Sequence, residues 1–343
     1  MLGRSSSCKY AAIIMIATII ALIVILIRTL LVLAYSQTTI LSLRPSSPFS
    51  VPAQGFYDSC APEKGTPCYD RLIQMAHAGF TLVLNYDQFS GNAEQQLAYA
   101  SRAEQLKIKI IWAMNSHAFW DGTNLSQHFQ ALAATCHCSD TQGFIQYFVG
   151  LVKNLPATWG YYIGDEVPPQ NHDEVKAFAD LVKQLDPSHP RLFIAGVSTV
   201  DSVTTNLAPF TDAADVLGAD YYPVGSTSTP MSATGDIASM VESTADQANK
   251  QSAMVLQSFD WSQYPREAWR CSPFPSCVHF PTKSEMCQML ILTLSNAHPQ
   301  ILLWYSYYDI LNSNNPSGYL QDLSDAVHTC NFSLQAANAV WRL

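Results

Sequence analysis

Short apolar runs rich in β-branched and aromatic residues recur eight times along the chain, at 54–57, 81–86, 108–114, 159–164, 191–196, 216–222, 253–259 and 301–307. Each is nearly continuously apolar, the pattern of parallel strands covered on both faces. Stretches with helical spacing alternate with them, at 69–78, 92–105, 174–185, 236–249, 284–297 and 319–341; the first carries Leu72, Ile73, Met75 and Ala76. Eight βα units with short connections predict an α/β protein, as a barrel or a doubly wound sheet. The count favours the (β/α)8 (TIM) barrel. A dinucleotide-binding sheet would need a glycine-rich turn after its first strand, and none follows Tyr57.

Ahead of these units the pattern changes. Arg4 and Lys9 precede an apolar run from Tyr10 to Ile27, which Arg28 interrupts and which resumes over 30–34. The run predicts either an uncleaved transmembrane signal anchor or a cleaved signal peptide, with Ala34-Tyr35-Ser36 offering small residues for cleavage. Both place the body outside the cytoplasm, at the cell membrane with an extracellular domain or secreted. Segment 1–9 is then the cytoplasmic n-region, 10–35 the membrane or signal helix, 36–51 a Ser/Pro-rich linker and 52–343 the barrel.

The cysteines agree with export. Besides Cys8, an even set remains: Cys60, Cys68, Cys136, Cys138, Cys271, Cys277, Cys287 and Cys330. In an oxidising compartment such a set predicts disulfides, with Cys60–Cys68 and Cys271–Cys277 the short-loop pairs. A zinc site at Cys136-His137-Cys138 is the rival reading, and it lacks a second half. The nine histidines form no H-x-H or H-E-x-x-H motif, so neither a metal nor another cofactor is expected. The net charge of −9 includes a basic leader, which leaves the body more acidic still and disfavours nucleic acid.

Barrels of this kind collect function at the C-terminal ends of their strands. Those ends supply Asp58, Asn85, Asp87, Trp112, Asn115, His117, Asp165, Glu166, Tyr221, Tyr222, Gln257, Asp260, Trp261, Trp304 and Tyr305. Carboxylates can work as acid and base on a glycosidic oxygen, amides can fix hydroxyls and rings can stack on sugar faces. The rim therefore predicts a carbohydrate partner, an oligo- or polysaccharide.

The run Trp159-Gly160-Tyr161-Tyr162-Ile163-Gly164-Asp165-Glu166-Val167-Pro168 resembles the fourth strand of the clan A glycoside hydrolases. That resemblance extends to a strand-six tyrosine, Tyr221 or Tyr222, and a strand-eight aromatic, Trp304. It implies that Glu166 is the general acid/base of an O-glycosyl hydrolase. Two departures stand out. Asp165 replaces the Asn usual in the clan, and beside Glu166 its charge would raise the glutamate's proton affinity if the two approach. Strand seven reads Val255-Leu256-Gln257-Ser258-Phe259-Asp260, with Gln257 where the clan has its nucleophilic Glu. Asp260 is then the nearest second carboxylate, with Asp58, Asp87, Asp220 and Asp309 as further candidates. Carboxyl oxygens about 5 Å apart would mean retention of configuration, and about 6.5–9.5 Å inversion. Gln257 also motivates the alternative of a non-catalytic carbohydrate-binding barrel at the cell surface. A barrel hydrolase of another bond type, using Asp and His residues such as His117, is the third class.

Overall fold

In the computed structural model the described residues are 52–114, 135–138, 140–226, 228–264 and 277–340, with 331–340 described by backbone alone. Segment 1–51, and with it the predicted membrane or signal helix, lies outside them. Among the described residues no helix is long and apolar enough to cross a membrane.

Eight parallel strands close into a barrel in chain order: β1 (Ala53–Asp58), β2 (Leu82–Asn85), β3 (Lys109–Ala113), β4 (Thr158–Asp165), β5 (Arg191–Gly196), β6 (Val216–Asp220), β7 (Gln251–Gln257) and β8 (Ile301–Tyr305). The closing pair joins β1 to β8, with Phe56 opposite Trp304. Around them run α1 (Thr66–His77), α2 (Ala93–Gln105), α3 (Thr141–Val152), α4 (His172–Leu185), α5 (Val200–Asn206), α6 (Thr234–Gln247), α7 (Lys283–Asn296), α8 (Tyr307–Leu311) and α9 (Pro316–Val340). The eight apolar runs thus form the eight strands. The short helices α5 and α8, and α3, were not among the helical stretches read from the sequence. Ser306 explains where strand eight stops: its hydroxyl accepts from the Asp309 amide and caps α8, so 306–307 are not strand.

Alternation along each strand separates two cores. Tyr57, Leu82, Leu84, Ile111, Ala113, Tyr162, Leu192, Ile194, Val216, Ala253, Val255, Ile301 and Leu303 fill the barrel interior. The alternate positions, among them Phe56, Trp112, Tyr161, Phe193, Leu217, Tyr221 and Trp304, pack outward against the helices. Gly55 marks how tightly the interior closes, since a Cβ there would lie 2.1 Å from the Leu82 carbonyl oxygen.

The inward positions also change character along the barrel. On β1 they pass from Ala53 through Gly55 to Tyr57, and on β6 from Val216 through Gly218 to Asp220, with Tyr222 just beyond the strand. The N-terminal end is aliphatic and the C-terminal end carries hydroxyls and carboxyls. A polar site can therefore form only at that end.

Disulfides join Cys60 to Cys68, Cys136 to Cys138 and Cys287 to Cys330. The first is the expected short-loop pair. Cys136 and Cys138 bond to each other and so offer no thiolate to zinc. Cys271 lies outside the described residues. The Cys287–Cys330 bridge ties α7 to α9 across 43 positions, so it restrains the unfolded chain more than the separation of 8 at Cys60–Cys68. Replacing both Cys287 and Cys330 by Ala is expected to lower the unfolding free energy by about 3–4 kcal/mol. Denaturant titration of the double variant checks this, and a loss below about 1 kcal/mol would contradict the chain-entropy argument.

Candidate active site

The C-terminal mouth of the barrel opens into a cavity of about 580 Å3. Its wall combines carboxyl groups of Asp165, Glu166 and Asp220 with the rings of Tyr57, Tyr86, Tyr222, Phe259, Trp261, Tyr264 and Tyr305. No lysine, arginine or histidine is among the described lining residues.

Strand four delivers two of the three acids by an irregularity. Its register against β5 shifts between Tyr162 and Gly164, which brings Asp165 opposite Ile194. Glu166 follows with φ +50°, a left-handed conformation that costs a non-glycine residue of order 1 kcal/mol. Its amide donates to the Ile194 carbonyl at 2.9 Å, so the turn is held by β5. Gly196 leaves room beside it, for a Cβ there would come within 3.0 Å of the Glu166 carboxyl. The side chain of Glu166 reaches the solvent-exposed mouth.

Both oxygens of Asp165 accept phenol hydrogen bonds, one from Tyr162 at 2.6 Å and one from Tyr86 at 2.7 Å. Tyr57 in turn donates to the Tyr162 hydroxyl at 3.1 Å. Burial, and then the charge of Asp165, pushes the Tyr86 and Tyr162 hydroxyls well above the usual phenol range. They therefore stay protonated, as donors must. Tyr305, across the mouth, is pushed up to about 12, again by burial first.

Asp220 is the buried member of the acidic group. It lines the same cavity as Glu166 and Tyr222. Burial raises its proton affinity most, followed by the charges of Glu166 and Asp165.

Of the residues singled out in the sequence, the structure brings Asp165, Glu166, Tyr222, Trp261 and Tyr305 to the cavity. Others face elsewhere. Trp112 donates to Thr158 at 2.9 Å and packs on Phe148, Trp304 donates to Gln54, and Tyr221 donates to the Pro230 carbonyl. All three occupy outward positions of their strands and belong to the barrel–helix core. Asp58 pairs with Arg71 at 2.7 Å, Asn85 bonds the Cys60 backbone, and Asp87 accepts from Ser59. These three organise the loops after β1 and β2. Asp260 caps the turn that begins at Trp261, accepting from the Ser262 amide at 2.8 Å, and does not line the cavity. Asn115 and His117 lie outside the described residues.

Gln257 is a structural clamp. Fully buried, it accepts from the Val224 amide at 2.8 Å and donates to the carbonyls of Val224 and Phe259. The loop after β6 is thereby stitched to the end of β7. Trp261 reinforces the stitch by donating to the same Val224 carbonyl. Asp309, a further candidate, accepts from Tyr264 and Ser306 and so positions Tyr264 in the wall. Among the described residues no three His, Cys, Asp or Glu side chains are grouped as a metal ion would require.

Asp220, a further candidate for the second carboxylate, also lines the cavity, as do Tyr57 and Tyr86, which the strand-end reading did not rank. Counting by twos from the apolar inward positions of β1, β2 and β6 reaches each of them.

The eight-stranded parallel barrel is the fold of solved TIM-barrel glycoside hydrolases of several families. Solved structures with the same architecture include a GH113 β-1,4-mannanase, at 12% identity with a TM-score of 0.54 over 83% of this chain and 99% of that one. A GH99 endo-α-mannosidase from Bacteroides thetaiotaomicron matches at 13% identity and a TM-score of 0.50, over 81% of this chain and 84% of that one. A glycoside hydrolase family 5 protein from Bacteroides vulgatus matches at 11% identity and a TM-score of 0.52, over 75% and 58%. Identities at this level establish the shared fold alone. No family model and no curated protein sequence matches the chain.

Two outcomes test these assignments. Gln257→Glu would lose two donated bonds and bury a charge, and a cost of about 3 kcal/mol in denaturant unfolding is expected. Asp220 has a folded proton affinity above its unfolded one, so its contribution is present below about pH 3.9 and is lost as pH rises through the folded value. Asp220→Asn should flatten the decline of unfolding free energy with rising pH; an unchanged slope would contradict the buried protonated carboxyl.

Proposed function

We propose that the chain is a glycoside hydrolase acting on an oligo- or polysaccharide, with Glu166 as general acid/base. One observation carries the reading: Glu166 stands at the open mouth of an aromatic-walled cavity that it shares with the buried carboxyl of Asp220. An acid must hold a proton at the working pH and present it to a leaving oxygen. Asp220 supplies the first requirement and the left-handed turn at Glu166 the second. The rings of Trp261, Tyr222 and Tyr305 are placed to stack on the C–H faces of sugars.

Glu166, just after β4, and Asp220, at the end of β6, line the same cavity. The two act as one acid/base unit on one side of the scissile bond. Asp260, engaged as a cap, is replaced in this reading by Asp220 as the partner of Glu166.

A second reading is a non-catalytic carbohydrate-binding barrel. The use of Gln257 as a backbone clamp, where clan A enzymes carry a nucleophile, favours it. In either case the reading includes an exported body held at the cell membrane through the N-terminal segment. The apolar run over 10–27 and the disulfides of the body support it.

The test is hydrolysis of a pooled set of aryl glycosides and soluble polysaccharides by the protein and its Glu166→Gln variant. Release of sugar by the first, reduced about 10²–10⁴-fold in the second, is the expected result. No release by either folded protein, with saccharide binding detected by calorimetry, would sink the hydrolase and leave the binding barrel.

A further inference from the structure

We propose that Asp165 is a positioning residue, a carboxylate clamped by two phenols whose fixed charge holds a proton on the neighbouring buried carboxyl of Asp220. The proposal rests on the hydrolase reading for its kinetic consequence and on the geometry of the mouth for everything else.

The clamp has a definite direction. A phenol has one O–H to give. Tyr162 gives its own to one oxygen of Asp165 while accepting from Tyr57, and Tyr86 gives its own to the other oxygen. A carboxylate with a donor on each oxygen is stabilised as the anion, since a protonated carboxyl would have to surrender one of those bonds. Chains of this kind strengthen each member in a low-dielectric interior. Asp165 therefore carries its charge, although it stands half-buried beside two other acids.

That charge has few groups to act on. Facing Asp220 and Glu166 from the surrounding strands are Tyr57 from β1, Tyr86 after β2, Tyr162 and Asp165 from β4, Tyr222 after β6 and Tyr305 from β8. No cation is among the described lining residues to offset it. Asp165 thus adds its charge to that of Glu166 in favouring a proton on the buried Asp220. Both oxygens of Asp165 are already engaged by the protein, and the residue works through its neighbours.

The experiment titrates the carboxyl groups of the full-length chain by 13C NMR, with Asp and Glu labelled at their side-chain carboxyls. The signal lost in Asp220→Asn identifies Asp220. Its midpoint should lie well above the ordinary carboxylate range and should fall by about one pH unit in Asp165→Asn. In Tyr86→Phe, which leaves the charge in place but removes one donor, the midpoint of Asp165 itself should rise by about one pH unit. With a hydrolysed substrate in hand, the alkaline limb of kcat/KM should move down in Asp165→Asn by the same amount as the NMR midpoint, with KM changed less than about threefold.

An unmoved Asp220 midpoint in folded Asp165→Asn would overturn the proposal, as would an unmoved Asp165 midpoint in Tyr86→Phe. A KM raised about tenfold with the alkaline limb in place would assign Asp165 to substrate contact instead. The NMR arm needs no turnover, so it separates failure of this inference from failure of the hydrolase reading.

Discussion

A carboxyl group buried at the last inward position of β6, in one cavity with two further acids, forces the arrangement around it. Desolvation alone disfavours its charge, and the neighbouring acids disfavour it further. The mouth answers by giving the three acids unlike surroundings. Asp165 accepts from a phenol on each oxygen, Asp220 is buried, and Glu166 is turned toward solvent. Neither an apolar interior nor a uniformly wet one would produce this division. It needs the gradient along the barrel, from Val216 and Gly218 to Asp220 on the same face of one strand.

The gradient follows from closure. In a closed barrel every inward position is committed, and its depth decides whether it meets packed side chains or the mouth. Tyrosine suits the boundary because its ring packs below while its hydroxyl reaches the polar layer. Tyr57, Tyr86, Tyr162, Tyr222 and Tyr305 all stand at that level, linked by ring contacts such as Tyr57 with Tyr162 and Tyr222 with Tyr305. Mutual packing fixes the hydroxyls, and the fixed hydroxyls fix Asp165. Positioning by a rigid scaffold, rather than by flexible surface loops, is what makes a definite proton assignment physically reasonable.

The barrel was legible because eight apolar runs are a strong signal for buried parallel strands. The site was legible in part, and the pattern of success is informative. Glu166 and Asp165 stood out by chemistry at a strand end. Trp112, Tyr221 and Trp304 stood out for the same reason, yet they are one position out of phase with the interior and serve the outer core. Asp220, in phase with Val216 and Gly218, was one of four further carboxylate candidates by chemistry, and phase alone would have singled it out. Alternation would have ranked Asp220 above Asp260, which follows the end of β7 and caps a turn. The same rule would not have found Asp165, which is out of phase with the inward Tyr162 and is brought to the mouth by the register slip between Tyr162 and Gly164.

Gln257 shows why phase alone is insufficient as well. It continues the alternation of Ala253 and Val255, and so by counting belongs to the interior. The chain after β6 instead folds back so that Val224 presents its amide and carbonyl to the Gln257 side chain. An amide can satisfy both at once, as donor and acceptor, whereas a carboxylate could only accept. Gln257 at the end of strand seven is therefore coupled to the loop after strand six. The acids of the cavity, Asp165, Glu166 and Asp220, stand on the β4–β6 side of the mouth, and the β7 side holds the aromatic wall of Phe259, Trp261 and Tyr264 in place.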